Sequence, residues 1–411
     1  MMRNRMLAIF LAMWAGLFAA HANDGVYYVS GSHLEPLQET DISVKKEVLT
    51  ITITDGPFAF VEVEYEFMNN GQPKDVTMGF EARAPYNDDE PMNLNGIHPH
   101  IKDFSVVMNG RTLSYRNGLV FSEDFDGDWP KEAQESVRKG QRFFPVDFSR
   151  WKLDTENSER LYNEQTDEYA DYAYAYYFDA HFNSEVNTVR HTYSYRMSFS
   201  VGQAFEIPYW LTPAMRWANH QIDDFTLRIK TDNCTKHFII DNSPFEGTPF
   251  NVVAGQGKTR VLDTSYDDGS KVTEVVLRNG TLEWHRNNFH TEHDMSIGSA
   301  ETLEYLVDWG SQPAPLFYDS SDTFLGWLAG GMDYERYYPG KGTKKQIRDF
   351  TARIRRNLPY AHRGYVFKDA TLRKVFESQW WYMPDPSWKP TDNSFSKHEH
   401  DLIQASDTFY D

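Results

Sequence analysis

Through most of the first three hundred residues, apolar side chains recur at every second position, the period of a strand with one buried face. Val61, Val63, Tyr65 and Phe67 alternate with Glu62, Glu64 and Glu66, giving the dry and wet faces of an antiparallel sheet. A second such run sets Val189, His191, Tyr193, Tyr195, Met197, Phe199 and Val201 against Arg190, Thr192, Ser194, Arg196, Ser198 and Ser200. Phe225, Leu227 and Ile229 repeat it. Asn69-Asn70-Gly71, Asp267-Asp268-Gly269 (ahead of Val272 to Leu277) and Asn279-Gly280 read as turns between strands. With no long amphipathic helix among them, these runs predict an antiparallel, β-sandwich-like body in one or two sub-units.

The period changes after Pro313 and Pro315. Thr343 with Gln346 forms a capping-box pair, and Ile347, Phe350 and Ile354 follow at helical spacing. Pro359 should end or kink that helix near Asn357. Asp369 can cap a second helix that puts Leu372, Val375, Phe376 and Trp380 on one face. Ser396 with Glu399 starts a third, ahead of Leu402 and Ile403. The expected organisation is a leader over 1–22, a β-rich body over 23–312, a linker over 313–341 and a small helical domain over 342–411. The mostly acidic stretch near 153–171 reads as a solvated insertion or a short helix.

Charge sharpens this division. The chain carries a formal net charge of −19, yet Lys341 to Lys374 holds eleven Lys and Arg against two Asp. A basic helix face of this kind suits an anionic envelope polymer, a lipid headgroup or an acidic protein, and equally the acidic body of the same chain. Arg353, Arg355, Arg356 and Arg363 are its candidate contact residues. The acidity elsewhere argues against a nucleic-acid partner.

At the N-terminus, Arg3 and Arg5 precede an apolar run from Met6 to Phe18 and the small-x-small triplet Ala20-His21-Ala22. This is the layout of a cleavable export signal, with cleavage expected after Ala22 and a periplasmic or secreted product. The run is too short to span a bilayer, and no later run is long enough. Cys234 is the single cysteine, which leaves no internal disulfide and reads as a buried thiol.

The segment Asn357-Leu358-Pro359-Tyr360-Ala361-His362-Arg363-Gly364-Tyr365-Val366-Phe367 resembles the signature of the YARHG domain. That is a small bacterial domain, taken to be extracellular and named for its motif. Phe376, Gln379, Trp381, Tyr382 and Pro384 match the family's second block in order and spacing. The family-motif residues are thus Tyr360, Ala361, His362, Arg363, Gly364, Phe367, Trp381 and Tyr382, with the Arg-His order of the motif inverted as His362-Arg363. The resemblance implies an extracellular setting and no particular activity. Val61 to Ala82, and Tyr209 to Ala214 followed by Trp217, resemble the β-rich N-terminal module of certain exported bacterial proteins.

Candidate chemistry is sparse. Asp124-x-Asp126-Gly127-Asp128 lacks the glutamate of a calcium loop, since its twelfth position is Ala133. His290-x-x-His293-Asp294 with His285, and His398-Glu399-His400-Asp401, have ligand chemistry without the helical spacing of a zinc pair. Trp380, Trp381, Tyr382 and Trp388 could stack on sugars, but mostly coincide with the helical core pattern. There is no G-x-S-x-G elbow and no phosphate-cradling glycine loop, and no motif asks for a cofactor or metal. The expected function is that of an exported, non-enzymatic binding or cell-envelope interaction protein. A hydrolase acting on an envelope polymer is the alternative, requiring converging carboxylates that sequence cannot select.

Overall fold

A computed structural model describes residues 31–32, 34–36, 40–85, 95–122, 129–138, 144–154, 160–200, 203–245, 247–266, 268–317, 334–391 and 393–404. The expected export signal over 1–22 and the Asp124–Asp128 segment weighed for calcium lie outside these residues. Strands of five residues or more are numbered β1 (Ser43–Ile53), β2 (Phe58–Asn69), β3 (Lys74–Arg83), β4 (Ile101–Met108), β5 (Arg116–Phe121), β6 (Glu168–Phe182) and β7 (Glu185–Arg196). Then follow β8 (Gln203–Trp210), β9 (Ile222–Thr231), β10 (Thr235–Asp241), β11 (Asn251–Asp263), β12 (Lys271–Phe289) and β13 (Met295–Ser299). Helices of seven residues or more are α1 (Lys131–Val137), α2 (Lys344–His362), α3 (Ala370–Glu377) and α4 (Lys397–Gln404).

The body is β throughout, as the period-two pattern predicts. One large sheet runs β8-β13-β10-β12-β9-β1-β2-β7-β4, with β11 along the other edge of β12. A smaller sheet is built on β3, β6 and β5. Most neighbours are antiparallel, but β1 and β9 run parallel, from Val44 opposite Ile222 to Ile53 opposite Thr231. The alternation in β2 and β7 is observed: Val61, Val63, Tyr65 and Phe67 point inward beside Val189, His191, Tyr193 and Tyr195. Phe80 of the smaller sheet meets Tyr193 of the larger one at 4.7 Å between ring centres, which closes the sandwich. The Asn69 side chain makes the turn into β3, accepting from the Gly71 amide and donating to the Gln72 carbonyl.

Two expectations need correction. The acidic stretch is not a helix where it is described. Arg160–Asn163 pairs with the start of β6 across a turn in which Asp167 takes a positive φ of 56°. Tyr169, Tyr172 and Tyr174 give it the residue types that favour a sheet. Asn279-Gly280 is not a turn either, because β12 continues through it. Its first half pairs with β10 and its second half with β9 along the same edge. Asn279 takes φ 42°, and the strain is shared by β11, whose register shifts between Val252 and Gln256.

Gly255 makes this close approach possible. It has φ 73°, and a Cβ there would lie 2.2 Å from the Asn279 carbonyl oxygen. Gly255→Ala should therefore cost at least the ~1–2 kcal/mol of a left-handed alanine, plus the clash, read as a lower urea midpoint with unchanged slope.

Candidate functional site

Chemistry-bearing residues concentrate where the helical tail meets the outer face of β10, β12 and β11. Along β12, Val275 and Leu277 enter the body core, while Glu274, Val276 and Arg278 face the tail. Register extends this outer face into rows: His237, Val276 and Lys258; Ile239, Glu274 and Arg260; Thr235, Arg278 and Gln256. Val276 joins the tail's own core of Ile354, Leu358, Ala361, Phe367, Phe376 and Trp381.

The charged residues of these rows hold the tail by its backbone. Lys258 Nζ donates to the carbonyls of Trp380 at 2.7 Å and Tyr382 at 2.9 Å. Arg278 Nη2 donates to the carbonyls of His362 at 3.2 Å and Met383 at 3.0 Å. The His362 carbonyl belongs to the last turn of α2, where unpaired carbonyls and the negative end of the helix dipole favour a cation. Arg260 stacks on Trp380, 4.5 Å from the ring centre, and bonds the fully buried Glu274 at 2.5 Å. His237 Nε2 donates to the other Glu274 oxygen at 2.8 Å. Burial alone would raise the Glu274 pKa, but the bonds and charges of His237 and Arg260 outweigh it and hold the carboxyl below its usual range. Burial also lowers the pKa values of Arg278 and Lys258. Basic residues of the body thus grip tail carbonyls.

The tail's internal geometry explains its motif. Thr343 and Gln346 form the expected capping box of α2. Of the two outcomes expected of Pro359, an end near Asn357 does not occur: the helix runs through the proline to His362. The proline removes one helix hydrogen bond, and the buried Leu358, Ala361 and His362 hold the last turn by packing. Tyr360 stacks on Phe395 at 4.7 Å. His362 turns into the seam against Trp381. Arg363 turns the other way and forks onto Glu399 of α4 through two bonds, the second 2.9 Å long. Gly364 has φ 85°, and a Cβ there would fall 2.5 Å from the Met383 carbonyl oxygen and 2.8 Å from the Arg278 guanidinium. Only glycine lets that arginine in. Phe367 packs flat on Phe376, and Tyr382 Oη donates to the Tyr365 carbonyl at 2.6 Å. Gln379 and Trp381 bond the amide and the carbonyl of Leu316, tying the segment after Pro315 to the tail.

The sequence pattern of the YARHG domain matches residues 333–409. The C-terminal module is a YARHG domain. The domain of unknown function DUF4424 matches residues 22–206, in the body. No curated protein matches the chain. Among solved structures, a Legionella pneumophila protein provisionally named nutrient binding is similar over 93% of this chain and 98% of its own, at 16% identity and TM-score 0.51, which speaks to fold alone. The M1 zinc metallopeptidase of Deinococcus radiodurans matches 64% of this chain and 43% of its own at 10% identity, with a TM-score of 0.23 that carries no argument.

The four arginines singled out from sequence are spread over different environments. Arg353 pairs with Asp369 at 2.8 Å, Arg355 is buried, Arg356 is half-buried, and Arg363 is committed to Glu399. Lys341, Lys344, Lys345, Arg348, Lys368, Arg373 and Lys374 are exposed basic residues around them. The aromatic run is divided as well: Trp381 and Tyr382 are core of the YARHG domain, while Trp380 lies beneath Lys258 and Arg260. Trp380 lies beyond α3, which ends at Glu377. The histidines weighed as ligands diverge. His285 bonds Asp224, His290 bonds the His220 carbonyl, and Asp294 accepts the Leu211 and Thr212 amides. Among the described residues no group of three or more His, Cys, Asp or Glu is placed to hold a metal ion, and no helix is long and apolar enough to cross a membrane. Cys234 is buried, and burial pushes its thiol up to about 11.

Sequence reasoning missed the body half of the seam. Glu274 and Arg278 read as the wet side of β12, and nothing in a period-two pattern tells a face bathed in water from one covered by another module.

The Arg363–Glu399 pair is open to a direct test. The Glu399 side chain is almost fully buried, so Arg363→Met should destabilise the YARHG domain by about 3 kcal/mol, the lower end for breaking a buried pair. Adding Glu399→Gln should recover part of the loss by removing the stranded charge. Urea unfolding of the two single variants and the double variant closes the cycle.

Proposed function

We propose that the protein is an exported, non-enzymatic binding protein of the cell envelope, and that its YARHG domain offers a basic surface to an anionic envelope component. The observation that carries this reading is where the tail's positive charge lies. Lys341, Lys344, Lys345 and Arg348 crowd the start of α2 and are exposed. Cations gain nothing from the positive end of a helix dipole, and among the described residues only Lys345 has an acidic partner there, Asp349 at 2.7 Å. Local stability therefore does not account for them, and a violated local preference points to function. Lys368, Arg373 and Lys374 add to the same charge. The export signal in the sequence and the extracellular setting implied by the YARHG domain agree with an envelope location. The name of the Legionella protein and the shared fold support binding rather than catalysis.

The test is co-sedimentation of the full chain with purified cell-wall sacculi and with vesicles containing anionic lipid, at low and high salt. The intact protein should pellet at low salt and be released at high salt, because exposed charges are screened within about 10 Å at 0.1 M. A Lys344→Glu/Arg348→Glu/Arg373→Glu/Lys374→Glu variant should stay in the supernatant. Binding that ignores both salt and charge reversal would sink the proposal.

A further inference from the structure

We propose that the seam between the β body and the YARHG domain is an acid-sensitive latch, in which proton uptake by the buried imidazole of His362 releases the domain from the sheet. The proposal stands on the arrangement of the seam, independently of what the exposed basic surface binds. His237 comes from the body and His362 from the domain, both are buried, and both border Trp381, at 6.4 and 6.0 Å between ring centres. His237 has one nitrogen on Glu274, while Nδ1 has no hydrogen-bond partner among the described residues.

The charges facing His362 are positive from both sides. Arg363 lies at its own helix end, and Arg278, Lys236 and His237 come from the sheet. Lys236 is itself buried, with Asp55 at 3.9 Å. The acids nearby are engaged elsewhere: Glu274 with His237 and Arg260, Glu399 with Arg363, and Asp385 acting on Arg278. Burial first, and then these cations, hold His362 far below the usual histidine range when the domain is docked.

The direction follows from linkage. A histidine depressed in the docked state and ordinary, near 6.5, in the released state binds more protons when released. Docking is therefore fully stable above about pH 6.5 and weakens as pH falls towards the docked pKa. For His362 alone the released-to-docked ratio approaches tenfold per pH unit in that window.

Hydrogen exchange of the full chain between pH 7.5 and 4.5, corrected for intrinsic rates, tests the latch. Amides of α2 and of β10 and β11 should lose protection together below about pH 6.5, while β2 and β7 keep theirs. His362→Gln should flatten this dependence. If that variant is already deprotected at pH 7.5, His362→Asn replaces it and should likewise flatten the dependence. Protection that holds to pH 4.5, loss of β2 and β7 in the same step, or an unchanged slope in a well-folded variant would each overturn the proposal.

Discussion

From Val272 to Arg278, β12 is covered on both faces, and this constraint sets most of the arrangement around it. Val275 and Leu277 fill the sandwich, while Val276, Glu274 and Arg278 lie under the YARHG domain. A strand buried on both sides would ordinarily be a continuous apolar run. Here the outer face keeps its charges, and each needs a partner, because an unpaired buried charge is costly. The partners come from two sources. Glu274 is satisfied within the sheet by His237 and Arg260, whereas Arg278 and Lys258 are satisfied by tail carbonyls. The position of the domain is thus fixed by the atoms its backbone offers, at the end of α2 and around Trp380 to Met383.

This gives the YARHG motif a structural meaning in this chain. Its five residues sit at one helix end and point in different directions. Tyr360 and Ala361 pack within the domain, His362 faces the body, Arg363 reaches α4, and Gly364 opens the space through which Arg278 enters. The inverted His-Arg order is compatible with this arrangement because consecutive residues of a helix end project about 100° apart, so each reaches its own neighbour. The second block works in the same way, with Gln379 and Trp381 pinning both polar backbone groups of Leu316.

Much of this was legible in the chain, and the rest was hidden for identifiable reasons. The alternation in β2 and β7 located the sandwich core, and the capping pairs Thr343–Gln346 and Ser396–Glu399 located two helix starts, because these are local rules. Pro359 and Asn279-Gly280 were misread for the opposite reason. Each is a local break signal overridden by tertiary packing, through the domain core in one case and the matching irregularity at Gly255 in the other. The seam was invisible because covering a face leaves no periodic trace, and because Lys258, Glu274 and Arg278 are the residues one expects in water. The basic run was visible as composition, but its division into exposed side chains and the inward-turned Arg355 and Arg363 depends on helix phase and on Glu399, which lies 36 residues beyond Arg363.

A polar seam also behaves differently from an apolar one. Burying the same face with leucines would give a larger gain from the ~25 cal/mol per Å² of apolar surface removed from water, and a joint indifferent to pH. Cation-to-carbonyl bonds return much less, since each replaces bonds to water and nets about 1–3 kcal/mol. What they add is direction and conditionality. Each cation accepts one geometry of the tail backbone, and the whole set is sensitive to any further positive charge among buried groups. Keeping Arg278, Lys258 and two buried histidines in one seam is a poor way to glue two modules permanently and a workable way to hold them until conditions change.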